Sequence, residues 1–281
     1  MTTRLVFGFL LGPLFLFFVL QSLPWVLFAI LVVHVLAQLE FISLIAGLSR
    51  RVIISHVIVS SLVMLALSLA LAGQVDARYC LLLAMLMVVV YAVLAALDYE
   101  RGRDHRRFIL LLRSILFVSL PLSFIPALCG ANAVPLLLWV IGASWAADTG
   151  AIFCGKAYGR TPLAPRISPK KTVEGAVGGM LAAGLVFAGT PYIYIYFGRS
   201  AAPPGYPESS AYWAVAFGLF LLGALLSVVG LFGDLTFSLF KREAGIKDYS
   251  LIIPGHGGVL DRFDSMLFAA PLVYMLTIFQ L

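Results

Sequence analysis

Nine separate apolar runs divide this chain, at 5–20, 23–45, 52–72, 79–97, 108–127, 134–155, 173–195, 211–236 and 262–280. Each is near the roughly 20 residues that a helix needs to cross a hydrocarbon layer about 30 Å thick. Inside that layer a backbone must satisfy its own N–H and C=O groups, so the runs are expected to be helices. The fold class that follows is all-α: a polytopic membrane protein of about nine transmembrane helices. Composition excludes a soluble globule, because 62% hydrophobic residues, 11% charged residues and a mean hydropathy of +1.04 leave too little polar surface to coat 281 residues. The first run follows a lone Arg4 and no small-residue cleavage site follows it, so it reads as a retained anchor and not a signal peptide.

Orientation follows from the basic residues. If nine spans alternate, Arg4, Arg50, Arg51, Arg101, Arg103, Arg106, Arg107, Lys156, Arg160, Arg166, Lys170, Lys171, Lys241, Arg242, Lys247 and Arg262 all fall on one side, which is 16 of the 19 Lys and Arg. The other side keeps Arg78 and Arg199, and Arg113 sits inside the fifth run. The positive-inside bias then puts the N-terminus in the cytoplasm and the C-terminus outside. The same bias accounts for the net charge of +6, so no nucleic-acid partner is implied. Cys80, Cys129 and Cys154 show no CxxC spacing, which supports neither a disulfide framework nor a zinc site. No internal repeat is visible. Besides two polar cytoplasmic segments, the one long loop is the outer stretch 198–210, with Pro203, Pro204 and Pro207.

Among thirteen acids, Asp148 and Asp234 lie within apolar helices, and Asp261 and Asp264 stand at the start of the last one. A carboxylate at the bilayer centre costs roughly 2.5–3.5 kcal/mol on insertion scales, so such residues are usually paired, cavity-facing or functional. Counted from the outer end, Asp234 is about 23 residues into its helix and Asp148 about 14, which puts both in the cytoplasmic half. These carboxylates, from three helices, can converge just inside the cytoplasmic interface. Asp234, Ser238 and Lys241 share a helical face at i, i+4, i+7, as do Asp261 and Asp264 at i, i+3.

Oxygen-only ligands favour a hard cation such as Mg²⁺, which holds one or two carboxylates and leaves its other positions to phosphates and water. Lys241, Arg242, Lys247 and Arg262 can neutralise a triphosphate, and Ser238 can donate to it. Gly255, Gly257 and Gly258 let backbone N–H groups approach it closely. Singly, each feature has a plainer reading: a turn for the glycines, a cap for His256, a snorkelling pair for Lys241 and Arg242. At fixed spacing with the acids they describe a phosphate-and-metal site.

At these residues the chain resembles the CDP-diacylglycerol synthases, or phosphatidate cytidylyltransferases. Their pattern of Ser, Lys-Arg, Lys-Asp, Pro-Gly, His-Gly-Gly and Asp-Arg-x-Asp is matched here without a gap by Ser238, Lys241, Arg242, Lys247, Asp248, Pro254, Gly255, His256, Gly257, Gly258, Asp261, Arg262 and Asp264. A second resemblance lies upstream, in Trp145, Asp148, Gly150, Gly155, Lys156 and the stretch Ser168-Pro169-Lys170-Lys171-Thr172-Val173-Glu174-Gly175. Together these cover about residues 134–281. The part before them matches only as hydrophobic spans. One departure is Phe237, where many relatives place a Glu just before the signature Ser.

The resemblance implies transfer of CMP from CTP to phosphatidate, giving CDP-diacylglycerol and pyrophosphate in phospholipid biosynthesis. It implies Mg²⁺ on Asp234, Asp261 and Asp264, with Asp148 as a further ligand, and room for a second monovalent or divalent cation. Ser168, Lys171, Ser238, Lys241 and Arg242 are assigned to phosphate contacts, and Lys247, Asp248, His256 and Arg262 to a substrate loop. Asp234, Asp261, Asp264 and Lys241 form the catalytic set. A homodimer in a bacterial cytoplasmic membrane, with its active site facing the cytoplasm, is also implied. Residues 1–133 read as supporting helices with a possible dimer contact, and 134–281 as the catalytic region with cytoplasmic loops 156–172 and 237–261. Two other classes use related residues. An ion-coupled transporter would not need the Lys-Arg and His-Gly-Gly cluster and would show paired inverted halves; a CTP-dependent lipid-alcohol kinase would release CDP instead of pyrophosphate. Replacing Asp234, Asp261 or Asp264 by Asn is expected to lower activity by several orders of magnitude while membrane insertion and expression persist.

Reporter fusions test the topology. Those after Arg107, Lys171 and Lys247 are expected to report cytoplasm, and those near Gln74, Cys129 and Pro204 the outside. An external signal at Lys171 would overturn the assigned orientation.

Overall fold

In the computed structural model the described residues are 20–44, 50–74, 106–130, 134–197, 212–250 and 257–278, with isolated positions at 13, 17, 18, 76, 78 and 93. Eight helices and one hairpin lie within them. In order they are α1 (Leu23–Ile42), α2 (Arg50–Leu71), α3 (Arg106–Ser114), a π-helical turn π1 (Ile115–Ser119), α4 (Leu120–Gly130), α5 (Val134–Tyr158), β1 (Pro162–Ala164), β2 (Ser168–Thr172), α6 (Val173–Phe197), α7 (Tyr212–Glu243) and α8 (Leu260–Ile278). Four stretches are long and apolar enough to cross a membrane: Leu23–Ile42, Arg50–Leu71, Ile109–Gly130 and Trp213–Glu243. The chain is thus a helical integral membrane protein. The expected spans 5–20 and 79–97 and the loop 198–210 fall almost wholly outside the described residues.

The chain forms two compact units, residues 1–137 with 240–281, and residues 138–239. The last span therefore groups with the N-terminal helices. In this first unit α2 packs on α4, and α1 and α8 also pack against α4. Ile30, Met64, Leu122, Ile125, Leu128 and Leu267 are fully buried. Polar side chains are buried beside them and bonded to one another. His34 Nε2 lies 2.9 Å from Ser119 Oγ, and Gln38 Nε2 donates to Ser119 Oγ (2.8 Å) and to the Ser114 carbonyl (3.2 Å). His56 Nε2 meets Ser114 Oγ at 2.8 Å. These bonds bracket π1, just ahead of Pro121, which has no N–H to return to the preceding turn. The wide turn loosens the helical ladder there, and side chains from α1 and α2 supply the polar partners that lipid cannot.

In the second unit the loop expected at 156–172 contains an antiparallel hairpin, with Pro162 opposite Thr172, Ala164 opposite Ser168, and an irregular register between them. This is a departure from an all-α chain. Pro162, Pro165 and Pro169 deny the segment the N–H groups a helix needs. The helices of this unit meet through small residues. A Cβ built on Gly178 would lie 2.3 Å from Cys154 Cβ, and one on Gly150 2.6 Å from the Gly178 carbonyl oxygen, so α5 and α6 touch almost backbone to backbone. The last helix before the signature loop also runs further than its hydropathy suggests. The cytoplasmic loop expected from 237 begins only after Glu243, because α7 continues through Lys241 and Arg242, whose cationic ends suit a helix C-terminus.

Gly178→Ala is expected to lower the stability of the detergent-solubilised protein by about 1–3 kcal/mol through overpacking. Gly218→Ala, on the open face of α7 with nothing within 4 Å of the added carbon, is expected to leave it unchanged or raise it. Thermal unfolding of the two variants checks the contrast.

Candidate active site

The residues singled out above fall into both units. In the unit of residues 138–239, Ser168 opens β2 and Lys171 lies near its end. Lys171 Nζ forms an ion pair with Asp234 Oδ2 on α7, and Ser238 Oγ donates to Asp234 Oδ1 at 3.2 Å. Asp234 thus holds a cation from the hairpin on one oxygen and a hydroxyl from its own helix on the other. The hairpin is fastened to α6 as well. Thr172 Oγ1 accepts the Gly175 N–H at 3.1 Å, capping that helix, and the Glu174 carboxylate accepts the backbone N–H groups of Arg160 (3.1 Å) and Thr161 (3.2 Å). Asp148 is exposed on α5. Phe237, in the position where an acid was expected by resemblance, is fully buried.

In the other unit, α7 ends in a Schellman turn. Gly245 has φ +71°, its N–H reaches the Arg242 carbonyl at 3.1 Å, and the Ile246 N–H reaches the Lys241 carbonyl at 2.9 Å. Arg242 is exposed, and its Nη1 donates to the Ile246 carbonyl at 3.2 Å. The turn leads through exposed Lys247 and Asp248 to Tyr249 and Ser250. Lys241 is only 8% exposed, with Nζ 2.6 Å from Asp261 Oδ1 and 5.4 Å from the centre of the Tyr249 ring. The second oxygen of Asp261 accepts the N–H groups of Gly258 (2.9 Å) and Tyr249 (3.2 Å). Asp264 is buried, and its Oδ1 accepts the N–H of Ser265 at 2.7 Å. Arg262 is exposed at the head of α8, and His256 lies outside the described residues. Burial, and then the negative charges of Asp261, Asp264 and Glu40, push the Tyr249 phenol well above its ordinary pKa, so it stays neutral.

Two glycines of the signature have structural roles here. The Gly258 N–H, expected to approach phosphate, donates to Asp261. Gly257 has φ +82°, a left-handed conformation that needs glycine, and it turns the chain into α8. The residue that sequence reasoning missed is Glu40, 3% exposed near the end of α1. It accepts hydrogen bonds from Ser250 Oγ, the Val259 N–H and the Leu260 N–H. The signal was present: Glu40 is an acid inside an apolar run, by the same criterion that picked out Asp148 and Asp234. Among the described residues of either unit, no three His, Cys, Asp or Glu side chains gather into a metal cage. The available donors are carboxylate and hydroxyl oxygens, a set that fits a cation taking only one or two carboxylates from the protein.

The model of the cytidylyltransferase family matches residues 2–279, nearly the whole chain. The chain belongs to this family. A phosphatidate cytidylyltransferase of Haemophilus influenzae is 44% identical over 136 residues, covering 48% of this chain and 43% of the relative. One from Synechocystis is 47% identical over 140 residues, covering 49% and 41%. One from Rickettsia bellii is 32% identical over 194 residues, covering 68% and 78%. The matched part thus spans less than half the length of the first two relatives. Membership of the cytidylyltransferase family agrees with the resemblance drawn from Ser238–Asp264.

Asp261→Asn is expected to do more than remove a charge. The new amide would turn an NH₂ toward Lys241 or toward two backbone N–H donors, so thermal stability should fall by about 1–3 kcal/mol. That differs from the intact stability expected if Asp261 were a ligand alone. An Asp261→Asn protein that unfolds at the wild-type temperature would show that these bonds contribute little.

Proposed function

We propose that this protein is a phosphatidate cytidylyltransferase. The observation that carries the reading is the unbroken Ser238–Asp264 signature in a chain of the cytidylyltransferase family, supported by relatives that bear that name. A phosphate oxygen of phosphatidate attacks the α-phosphorus of CTP, the bond from that phosphorus to the bridging oxygen of the β-phosphate breaks, and pyrophosphate leaves. No protein nucleophile is required; positioning and charge neutralisation carry most of such transfers.

The chain's own residues suit those two tasks. Lys171 and Lys241 are each held against a carboxylate, Asp234 and Asp261 respectively. A polyphosphate competes with those carboxylates for the lysines, and each lysine that turns to phosphate frees a carboxylate oxygen. Arg242, Lys247 and Arg262 are exposed cations near the signature loop that can meet the remaining phosphate charge. Ser168 and Ser238 are hydroxyl donors for the same oxygens. Asp234, Asp261 and Asp264 are the acids proposed to hold Mg²⁺, with Asp148 as a further ligand and a second monovalent or divalent cation alongside. When bound, Mg²⁺ supplies positive charge at the phosphate oxygens.

The proposal extends to topology. The sorting of Lys and Arg by loop supports nine spans, a cytoplasmic N-terminus, an outer C-terminus and an active site on the cytoplasmic face of a bacterial inner membrane. CTP then enters from the cytoplasm and phosphatidate arrives laterally from the lipid. The resemblance supports a homodimer.

Purified protein supplied with radiolabelled CTP and phosphatidate in mixed micelles is expected to form CDP-diacylglycerol and pyrophosphate. Chelation of divalent cations should abolish the product, and Mg²⁺ should restore it. Release of CDP with transfer of the γ-phosphate would identify a lipid kinase and overturn the reading.

A further inference from the structure

Glu40 is a carboxylate taken almost wholly out of water, and its donors come from the far end of the chain. Oε1 accepts the Ser250 hydroxyl at 2.5 Å and the Val259 N–H at 2.9 Å, and Oε2 accepts the Leu260 N–H at 2.8 Å. Leu260 opens α8 and Val259 directly precedes it, where backbone N–H groups lack helical partners and the helix dipole favours an anion. Gly258 makes room for the acid, since a Cβ there would sit 2.7 Å from Glu40 Oε2. Asp261 makes a matching connection, from the Tyr249 N–H to the Gly258 N–H. Two carboxylates therefore each tie residues 249–250 to residues 258–260, closing the chain on both sides of the segment 251–256.

The neighbour of Glu40 completes the seat. Phe41 stacks on Tyr249, with centroids 6.3 Å apart, and meets Phe240 edge-on at 5.6 Å. Tyr249 in turn lies beside the Lys241 ammonium. The end of α1 thus fixes Ser250, Tyr249 and the start of α8, the surroundings of the Lys241–Asp261 pair.

We propose that Glu40 is a positioning residue for nucleotidyl transfer: by clamping both ends of the signature loop, it sets where Lys241, Asp261 and Arg262 meet the nucleotide. The proposal rests on the cytidylyltransferase reading above. Glu40 acts through the loop, because its carboxylate is buried and spent on protein donors. The N-terminal helices then contribute directly to the geometry of the site.

The full-length protein in detergent, carrying Glu40→Gln, tests this by hydrogen–deuterium exchange and by kinetics. An amide of the same size turns an NH₂ toward backbone N–H donors, so amides in 257–262 are expected to exchange about tenfold faster, and KM for CTP to rise about tenfold. KM for phosphatidate should stay near wild type. Ser250→Ala removes one of the same bonds and should move both readouts in the same direction by less; combined with Glu40→Gln it should add nothing further. Arg50→Gln, on an exposed position of α2, serves as the unaffected control. Unchanged exchange in 257–262, or loosened amides with an unchanged KM for CTP, overturns the proposal. If Glu40→Gln does not accumulate, Ser250→Ala decides by the same criteria. A wild-type protein that forms no CDP-diacylglycerol would instead overturn the reading beneath it, whereas an active wild type with an unaffected Glu40→Gln variant overturns Glu40 alone.

Discussion

A polar group moved into a lipid-facing or buried interior must find its partners within the protein, because hydrocarbon offers none, and almost every feature described here answers that demand. The backbone answers it by forming helices wherever the chain is apolar. Where three prolines prevent a helix, between Pro162 and Pro169, two short strands pair instead. Where the ladder widens at Ile115–Ser119, Gln38, His34 and His56 reach the serines at its two ends. Carboxylates face the same demand more severely, and two of them in the first unit are surrounded by donors. Asp261 has a lysine and two N–H groups; Glu40 has a hydroxyl and two N–H groups.

That arrangement bears on the polyphosphate chemistry proposed for this chain. Under the proposed reaction, cations that would meet phosphate rest in the structure as ion pairs with carboxylates. Lys171 with Asp234 in one unit, and Lys241 with Asp261 in the other, are two instances. Lys241 is buried, with its ammonium over the Tyr249 ring. Fixed points stand on both sides of the segment that follows α7. They are a Schellman turn at Gly245, a left-handed Gly257 and the two carboxylates that tie residues 249–250 to residues 258–260.

Much of the fold was legible in the sequence because one physical preference, hydrocarbon for apolar side chains, acts on every residue of a span. The runs at 23–45, 52–72 and 211–236 became α1, α2 and α7 with ends shifted by a few residues. The shifts have causes: Lys241 and Arg242 look like loop by hydropathy but are good final-turn residues. The hairpin at 162–172 was less visible, since three residues of β1 carry too little pattern to register. The family was legible for a different reason. Lysine, arginine, glycine and aspartate at fixed spacing over 27 positions leave few other readings, and the family match over residues 2–279 agrees.

Sequence alone determined that this is a helical membrane protein of the cytidylyltransferase family and where several of its helices run, all of which depend on residue type and local spacing. Tertiary structure alone decided the partners. Nothing in the spacing of Asp261 says that it takes the N–H groups of Tyr249 and Gly258, or in that of Lys171 that it meets Asp234. Nor does a glutamate in an early apolar run announce that it will hold a loop more than two hundred residues later. Hydrogen bonds act over about 3 Å, and which distant groups come that close is settled only when the helices have packed.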